Sequence, residues 1–378
     1  MNVRRLAETI GAAGHSIDLV TYAVGADVPL PPTVRILRAG RLPFVVRVPI
    51  GPSLTKVVLD LGLLLRAARL LRSPADGYDV MQGFEEGAWI ASLLSRLSGV
   101  PFVYDMDSDL EAQIGESTLF RPLLWLAQVI DRFALNRSTA VLTVCRALTE
   151  RAQRIAPAKP VFQIEDAPNV VEFIDHDAGR RELASRFCLP DGPLIVYTGN
   201  LEPYQGVDLL VRAAPQVLGE RPDAVFLIVG GATRRLRLLQ DLSREIGAGD
   251  RVRFLGERPE PEMGLFLAGA DLLVSPRSSG TNTPLKVYSY LMSGRPLVAT
   301  DRPVHTQIIS ANEAVLAPPT PEGLAQAILG VLRDPASAAR LAENARRLVA
   351  TRYSPAAFAD KARAFAVSLE TLLKNGGG

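Results

Sequence analysis

Ser279-Gly280-Thr281-Asn282-Thr283-Pro284-Leu285-Lys286-Val287-Tyr288-Ser289-Tyr290-Leu291-Met292-Ser293-Gly294-Arg295-Pro296-Leu297-Val298-Ala299-Thr300 follows an apolar run at 271–275. It contains a loop of small residues, a helix that opens near Pro284, and a second apolar run at 296–300. Proline is tolerated in the first turn of a helix, where its missing N–H has no intrahelical partner to lose. Such a loop directs free N–H groups and the positive end of the helix dipole at whatever binds there, which suits a phosphate or diphosphate. Lys286 adds a point charge within the first turn. An ordinary βα loop with a capped helix fits the same residues.

Outward from this stretch, short β-rich runs alternate with helix-length amphipathic segments. Strands are expected at 16–22, 78–81, 101–105, 140–144 and 160–164. After a break, others are expected at 194–198, 224–229, 252–255, 271–275, 296–300 and 314–316. Continuous apolar strands each followed by a helix imply parallel sheets covered on both faces. The break lies at 166–191, where Pro168-Asn169-Val170 closes one series and Leu189-Pro190-Asp191-Gly192-Pro193 opens the next. Turn-rich punctuation between two β/α series marks a domain linker. The expected organisation is therefore a domain over 1–168, a linker over 169–192, a second domain over 193–352 and a C-terminal helix over 353–375. Doubly wound sheets bind ligands at the carboxyl ends of their strands, so two such domains are expected to face a cleft.

Composition narrows the function classes. At 378 residues the chain is too long for one ordinary core. A formal net charge of +2 offers no bulk attraction for nucleic acid. Cys145 and Cys188 match no metal or redox spacing and read as thiols in a reducing compartment. No apolar run is long enough to span a bilayer, and the N-terminus lacks signal-peptide regions. A cytoplasmic protein is the expectation.

The 279–300 stretch resembles the donor-binding segment of family-4 retaining glycosyltransferases (glycosyl transferases group 1). There a Gly-rich loop, a proline and a helix precede a Ser-Gly-Lys/Arg-Pro-Val-Val-Ala-Thr strand. Thr198-Gly199-Asn200-Leu201 with Gln205-Gly206-Val207-Asp208 is similar to the family's Val-Gly-Arg-Leu…Lys-Gly-Val-Asp. Residues 225–231, Val252-Arg253-Phe254-Leu255-Gly256 and Ala270-Asp271 follow in family order, and the likeness covers 194–352. In the N-terminal half, Arg4-Arg5-Leu6-Ala7-Glu8…Gly14-His15 resembles the family's first helix and Gly-His turn. The resemblance implies an α/β GT-B fold of two doubly wound Rossmann-like domains.

Carried over residue by residue, the resemblance also shows departures. The family's second donor-binding glutamate falls on Ser289, and its partner on Thr281. The Arg and Lys that neutralise the diphosphate fall on Asn200 and Gln205. The N-domain histidine falls on Asp107, in Tyr104-Asp105-Met106-Asp107-Ser108-Asp109-Leu110. Two readings follow: a divergent branch whose polar loops still bind donor, or a degenerate site in a partner subunit. The expected catalytic residues are Asp107, at the position of the family's histidine, with Asp105 and Lys286. The resemblance assigns donor binding to Gly199, Asn200, Gln205, Gly256, Gly280, Thr281, Asn282, Thr283, Pro284, Leu285 and Ser289, with further nucleotide contacts at 256–258.

Other residues carry weaker signals. Asp105, Asp107 and Asp109 fall where a parallel strand ends and read as ligands of an acceptor hydroxyl or of the sugar, as a base, by their alternation as a metal ligand set, or as helix-capping aspartates. Glu85 and Glu86 are further candidates. His305 reads as a donor contact or a satisfied cap, His15 as structural and His176 as part of the linker. Between 41 and 72 stand Arg41, Arg47, Lys56, Arg66, Arg69 and Arg72 against one acid, Asp60, beside a strongly apolar helix. That segment reads as a membrane-surface patch for a lipid-linked acceptor, or as a core helix with a basic solvent face.

The chain starts inside what resembles the family's first helix, with no strand ahead of Arg4. Because the first strand of a doubly wound sheet is central, its loss is expected to split the N-terminal sheet. The expectation is that Met1 is not the natural start, or that the sequence is a fragment. The implied reaction moves a sugar from a nucleoside-diphosphate donor to a glycan, lipid-linked or small-molecule acceptor with retention. No required metal or other cofactor and no nucleic-acid partner are expected. A sugar-nucleotide epimerase of the same fold is the alternative enzyme.

Overall fold

The computed structural model describes all residues except 1, 26–27, 42–44, 46–47, 49–52, 73–76, 110–113, 115–120, 170–171, 232 and 377–378. Arg47, Leu110 and Val170 lie outside the described residues. The chain divides into two compact units, Met1–Glu165 with Phe358–Gly378, and Asp166–Ala357.

The first unit opens with α1 (Asn2–Ala12), β1 (Ile17–Thr21), β2 (Val34–Arg38) and α2 (Leu54–Leu71). It continues through β3 (Met81–Phe84), α3 (Gly87–Ser98), β4 (Phe102–Met106) and α4 (Leu124–Arg137), then β5 (Ala140–Thr143), α5 (Arg146–Ile155) and β6 (Val161–Gln163). Its described strands stand in two parallel sheets, β1-β2 and β3-β4-β5-β6. β2 is not among the strands expected from sequence: Val34-Arg35-Ile36-Leu37-Arg38 carries two arginines among its aliphatic residues and follows the proline-rich run at 29–32.

β3 lies later than the expected strand at 78–81. Its register is set by pairing with β4, Met81 opposite Phe102 and Phe84 opposite Asp105. Gly83 falls inside the strand because α3 comes so close that a Cβ there would strike the Ala88 backbone. In sequence that glycine reads as a turn.

The second unit begins with α6 (His176–Phe187), followed by β7 (Leu194–Thr198), α7 (Val207–Glu220), β8 (Val225–Val229), α8 (Thr233–Glu245) and β9 (Val252–Gly256). Next come α9 (Met263–Ala268), β10 (Leu272–Ser275), α10 (Leu285–Met292), β11 (Leu297–Thr300), α11 (Pro303–Thr306) and β12 (Val315–Ala317). It closes with α12 (Pro321–Arg333) and α13 (Pro335–Leu348); α14 (Pro355–Gly376) then enters the first unit. The residues expected as a linker, 169–192, are not a bare connection. They hold α6, capped by Asp175, and its fully buried Leu183 packs in the same core as Phe266.

The six strands pair in parallel in the order β12-β11-β10-β7-β8-β9. Side chains alternate across this sheet as strand geometry requires. Ile195, Tyr197, Phe226, Ile228, Leu272 and Val274 join one core cluster with α7 and α12. Leu194, Val196, Val225, Leu227 and Leu273 join the other, with α9 and α10. Both faces are dry, which is why these strands read as unbroken apolar runs. Full burial of each large aliphatic or aromatic side chain stabilises the fold by about 1.5–3 kcal/mol.

Candidate functional site

In the second unit the carboxyl ends of β7 and β10 bring most of the sequence-assigned donor residues together. β7 runs into Gly199 and Asn200. Gly199 has φ +136°, and a Cβ there would press on the Lys286 ammonium, so only glycine suits the position. Asn200 is held in a turn, its Oδ1 accepting from Glu202 N at 3.2 Å.

Lys286 comes up from the first turn of α10. Its Nζ donates to Gln205 Oε1 at 3.0 Å and lies 3.7 Å from the centre of the Tyr197 ring. Burial, reinforced by the nearby Arg277 charge, pushes its pKa well below the usual lysine value. Arg277, in the loop after β10, was missed from sequence. Only 8% exposed, it donates to Ser279 O and Asn282 Oδ1 and stacks over Tyr204, with burial lowering its pKa. Gly280 has φ +104°, and a Cβ there would strike the Arg277 guanidinium. Among the described residues no carboxylate forms an ion pair with Arg277 or Lys286. The sequence signal for Arg277 is its place, directly after Pro276 at a strand's carboxyl end and before the small-residue loop.

The rest of the loop is braced by α11 and its flank. Gln307 Nε2 donates to Thr281 O at 3.1 Å and to Thr283 Oγ1 at 3.0 Å. Pro284 immediately precedes α10 and its carbonyl accepts from Val287 N, while Leu285 packs into the core. Gly256 ends β9, its carbonyl accepting from Gly230 N at 2.7 Å. Ser289 is buried one turn along α10, where its Oγ accepts from Asn169 N at 3.1 Å. His305 is fully buried between Ser275 Oγ and Thr300 O, and desolvation lowers its pKa to about 3. It is a satisfied core histidine. His176 is not a linker residue: it opens α6, with Nε2 3.3 Å from Asp271.

In the first unit the three candidate aspartates differ in setting. Asp105 is 4% exposed and accepts from Gln82 Nε2 at 2.6 Å across the β3–β4 pair. Asp109 pairs with Arg151 at 3.7 Å. Asp107 follows the end of β4 and is half-buried. Glu85 stands at the end of β3 with φ +48°; it accepts from Ser108 Oγ at 2.6 Å, and burial raises its pKa. Glu86 pairs with Lys56 at 2.7 Å. Among the described residues no group of three or more His, Cys, Asp or Glu side chains is placed to hold a metal ion.

Residues 2–164 match the glycosyl transferase 4-like domain, and residues 184–348 match glycosyl transferases group 1. The alpha-D-kanosaminyltransferase of Streptomyces kanamyceticus is 30% identical over 289 residues, which span 74% of this chain and 73% of that protein. The phosphatidyl-myo-inositol mannosyltransferase of Mycobacterium leprae is 26% identical over 342 residues, 88% of this chain and 83% of that one. Among solved structures, sucrose-phosphate synthase from Thermosynechococcus elongatus superposes with a TM-score of 0.78 at 21% identity, covering 98% of this chain and 92% of that one. Anabaena HepE, solved with UDP and glucose, gives a TM-score of 0.71 at 17% identity, covering 98% and 95%. These likenesses show the GT-B fold with two Rossmann-like parallel-sheet domains.

Proposed function

This chain belongs to the group 1 glycosyltransferases of family 4, retaining enzymes that use nucleotide sugars, and we propose that Arg277 and Lys286 hold the donor's diphosphate. The observation that carries this reading is that the buried Arg277 and the half-buried Lys286, set beside the N-terminus of α10, form no ion pair with a carboxylate among the described residues. An uncompensated buried charge is costly, and a diphosphate would neutralise both. Backbone N–H groups of the Gly280 loop and the helix dipole would stabilise the leaving diphosphate as its charge develops. On this reading Asn200 and Gln205 are neutral where the family places Arg and Lys, and the positive charge comes from Arg277 and Lys286 instead.

Gly199, Gly256, Thr281, Asn282, Thr283, Pro284, Leu285 and Ser289 complete the proposed donor site as backbone and hydroxyl contacts. Asp107 and Glu85 are the proposed acceptor-side groups, with Asp105 setting the strand end through Gln82. Two relatives bear on the reaction by name: an alpha-D-kanosaminyltransferase names the sugar it moves, and a phosphatidyl-myo-inositol mannosyltransferase names its acceptor. The second agrees with a lipid-linked acceptor and with the basic segment around 41–72.

Calorimetric titration with UDP and with GDP tests the donor site. Arg277→Gln and Lys286→Met are each expected to weaken the nucleotide that binds by about 1.5–3 kcal/mol, the range for a charge-assisted hydrogen bond. Unchanged affinity in both variants would remove the diphosphate from this loop.

A further inference from the structure

Three neighbouring helices of the first unit turn apolar side chains to solvent. Exposed on α2 are Leu54, Val58, Leu61 and Leu65; on α3, Leu93 and Leu97; on α4, Trp125, Val129 and Phe133. Spacings of three and four residues make each set a single stripe along its helix. The opposite sides are the buried ones: Leu59 on α2, Ala88, Ala91 and Leu94 on α3, and Ala127, Ala134 and Leu135 on α4. α3 joins β3 to β4 and α4 joins β4 to β5, adjacent parallel strands, so right-handed crossovers put both helices on one face of the sheet. α2 packs on α3, and α3 on α4. The stripes therefore lie side by side. Single exposed leucines are ordinary, but a contiguous apolar face on three adjacent helices marks an interaction surface.

The charges on these helices identify the partner. Arg69, Arg96, Arg132 and Arg137 are exposed, as is Arg72 just beyond α2. The two acids within the helices are both engaged away from the outer face. Asp60 accepts from Tyr22 OH, and Asp131, 1% exposed, accepts from Tyr104, Trp89 and Arg151. Lys56 is taken up by Glu86. The outer face thus combines aliphatic side chains, an exposed tryptophan and arginines, with no exposed carboxylate on the three helices. That combination complements an anionic bilayer, whose interior takes the apolar stripes, whose headgroups attract arginine and whose interface favours tryptophan. No described helix is long and apolar enough to cross a membrane.

We propose that the outer face of α2, α3 and α4 docks on an anionic lipid bilayer. The face extends well beyond the basic segment around α2, and the inference stands independently of the donor-site reading.

Flotation of the full chain with phosphatidylcholine vesicles, with and without phosphatidylglycerol, tests it. Binding to the anionic vesicles is expected to exceed binding to neutral ones by about tenfold or more, and to weaken with salt. Two triple variants, Leu61→Gln with Val129→Gln and Phe133→Gln, and Arg69→Gln with Arg132→Gln and Arg137→Gln, are each expected to lose about tenfold or more. All six positions leave the core intact, and an unchanged thermal melt checks that. The chain has two tryptophans. Trp125 is exposed, so its emission is expected to shift to the blue on vesicles, and Trp125→Phe should abolish the shift, since Trp89 is already tied to Asp131. Absence of anionic-vesicle binding, equal binding to neutral vesicles, or binding that survives both triple variants would overturn the proposal. So would a lipid-free dimer in sedimentation that the apolar variant abolishes, because the face would then serve a second copy of this chain.

Discussion

Lys286 and Arg277 are set against neutral partners: the Tyr197 and Tyr204 rings, the Gln205 and Asn282 side-chain oxygens and the Ser279 carbonyl. Aromatic faces and amide oxygens orient a cation without cancelling it. For Lys286 the folded-state pKa lies well below the ordinary 10.5. Between those two values the unfolded chain binds a proton that the folded chain has released, so stability rises with pH across that window and is complete above 10.5. Below the lowered pKa the folded chain carries a buried charge at a cost. Two outcomes are expected. Lys286→Met, which keeps the stem and removes the charge, should melt no lower than wild type. If a diphosphate occupies the site, it should also draw a proton onto Lys286. Titration with the bound nucleotide over a series of pH values between the lowered pKa and 10.5, in buffers of different ionisation enthalpy, should then show proton uptake in wild type and none in the variant. Zero uptake in wild type, with binding intact, would mean that Lys286 does not face the diphosphate.

At the scale of elements, the site depends on how β7 stops. Tyr290, fully buried on α10, accepts from Thr198 N at 2.7 Å and donates to Thr198 O at 3.2 Å. One hydroxyl therefore ties the helix after the small-residue loop to the last residue of the strand before Gly199. Tyr290→Phe keeps the ring and strands the Thr198 N–H in a dry core. The expected cost is about 1–3 kcal/mol in urea unfolding, with weaker nucleotide binding because Gly199 loses its anchor. A variant as stable as wild type would show that this tie contributes little. The first unit has its own version of such a junction. β3 and β4 end together because Ser108 reaches Glu85 and Gln82 reaches Asp105.

At the scale of the whole molecule, α14 belongs to the unit formed by the start of the chain. Phe358, Ala362, Phe365, Ala366 and Leu369 make its buried stripe. Phe365 meets Phe162 edge-on at 5.3 Å, and Lys361 pairs with Glu165. Phe365→Ala is expected to cost about 3–5 kcal/mol, and to lower only the unfolding transition of the first unit, while nucleotide shifts that of the second unit. A single transition lowered together would show that the units unfold as one. The sequence alone determined the parallel α/β character of the chain, because strands dry on both faces must be written as unbroken apolar runs, as Leu194–Thr198 and Val225–Val229 are. It also determined the place of the small-residue loop, since a helix start leaves its mark in Gly280 and Pro284. β2 is not legible in the sequence because two arginines interrupt its aliphatic residues directly after a proline-rich run. β3 was misplaced because Gly83 answers to the nearness of Ala88, a contact invisible along the chain. Arg277 was legible only as one more loop arginine. Tertiary structure alone brought it, Lys286, Tyr197, Tyr204 and Gln205 into one cluster, since they come from three separate segments of the chain. Whether a charge has a partner is decided by distance in space.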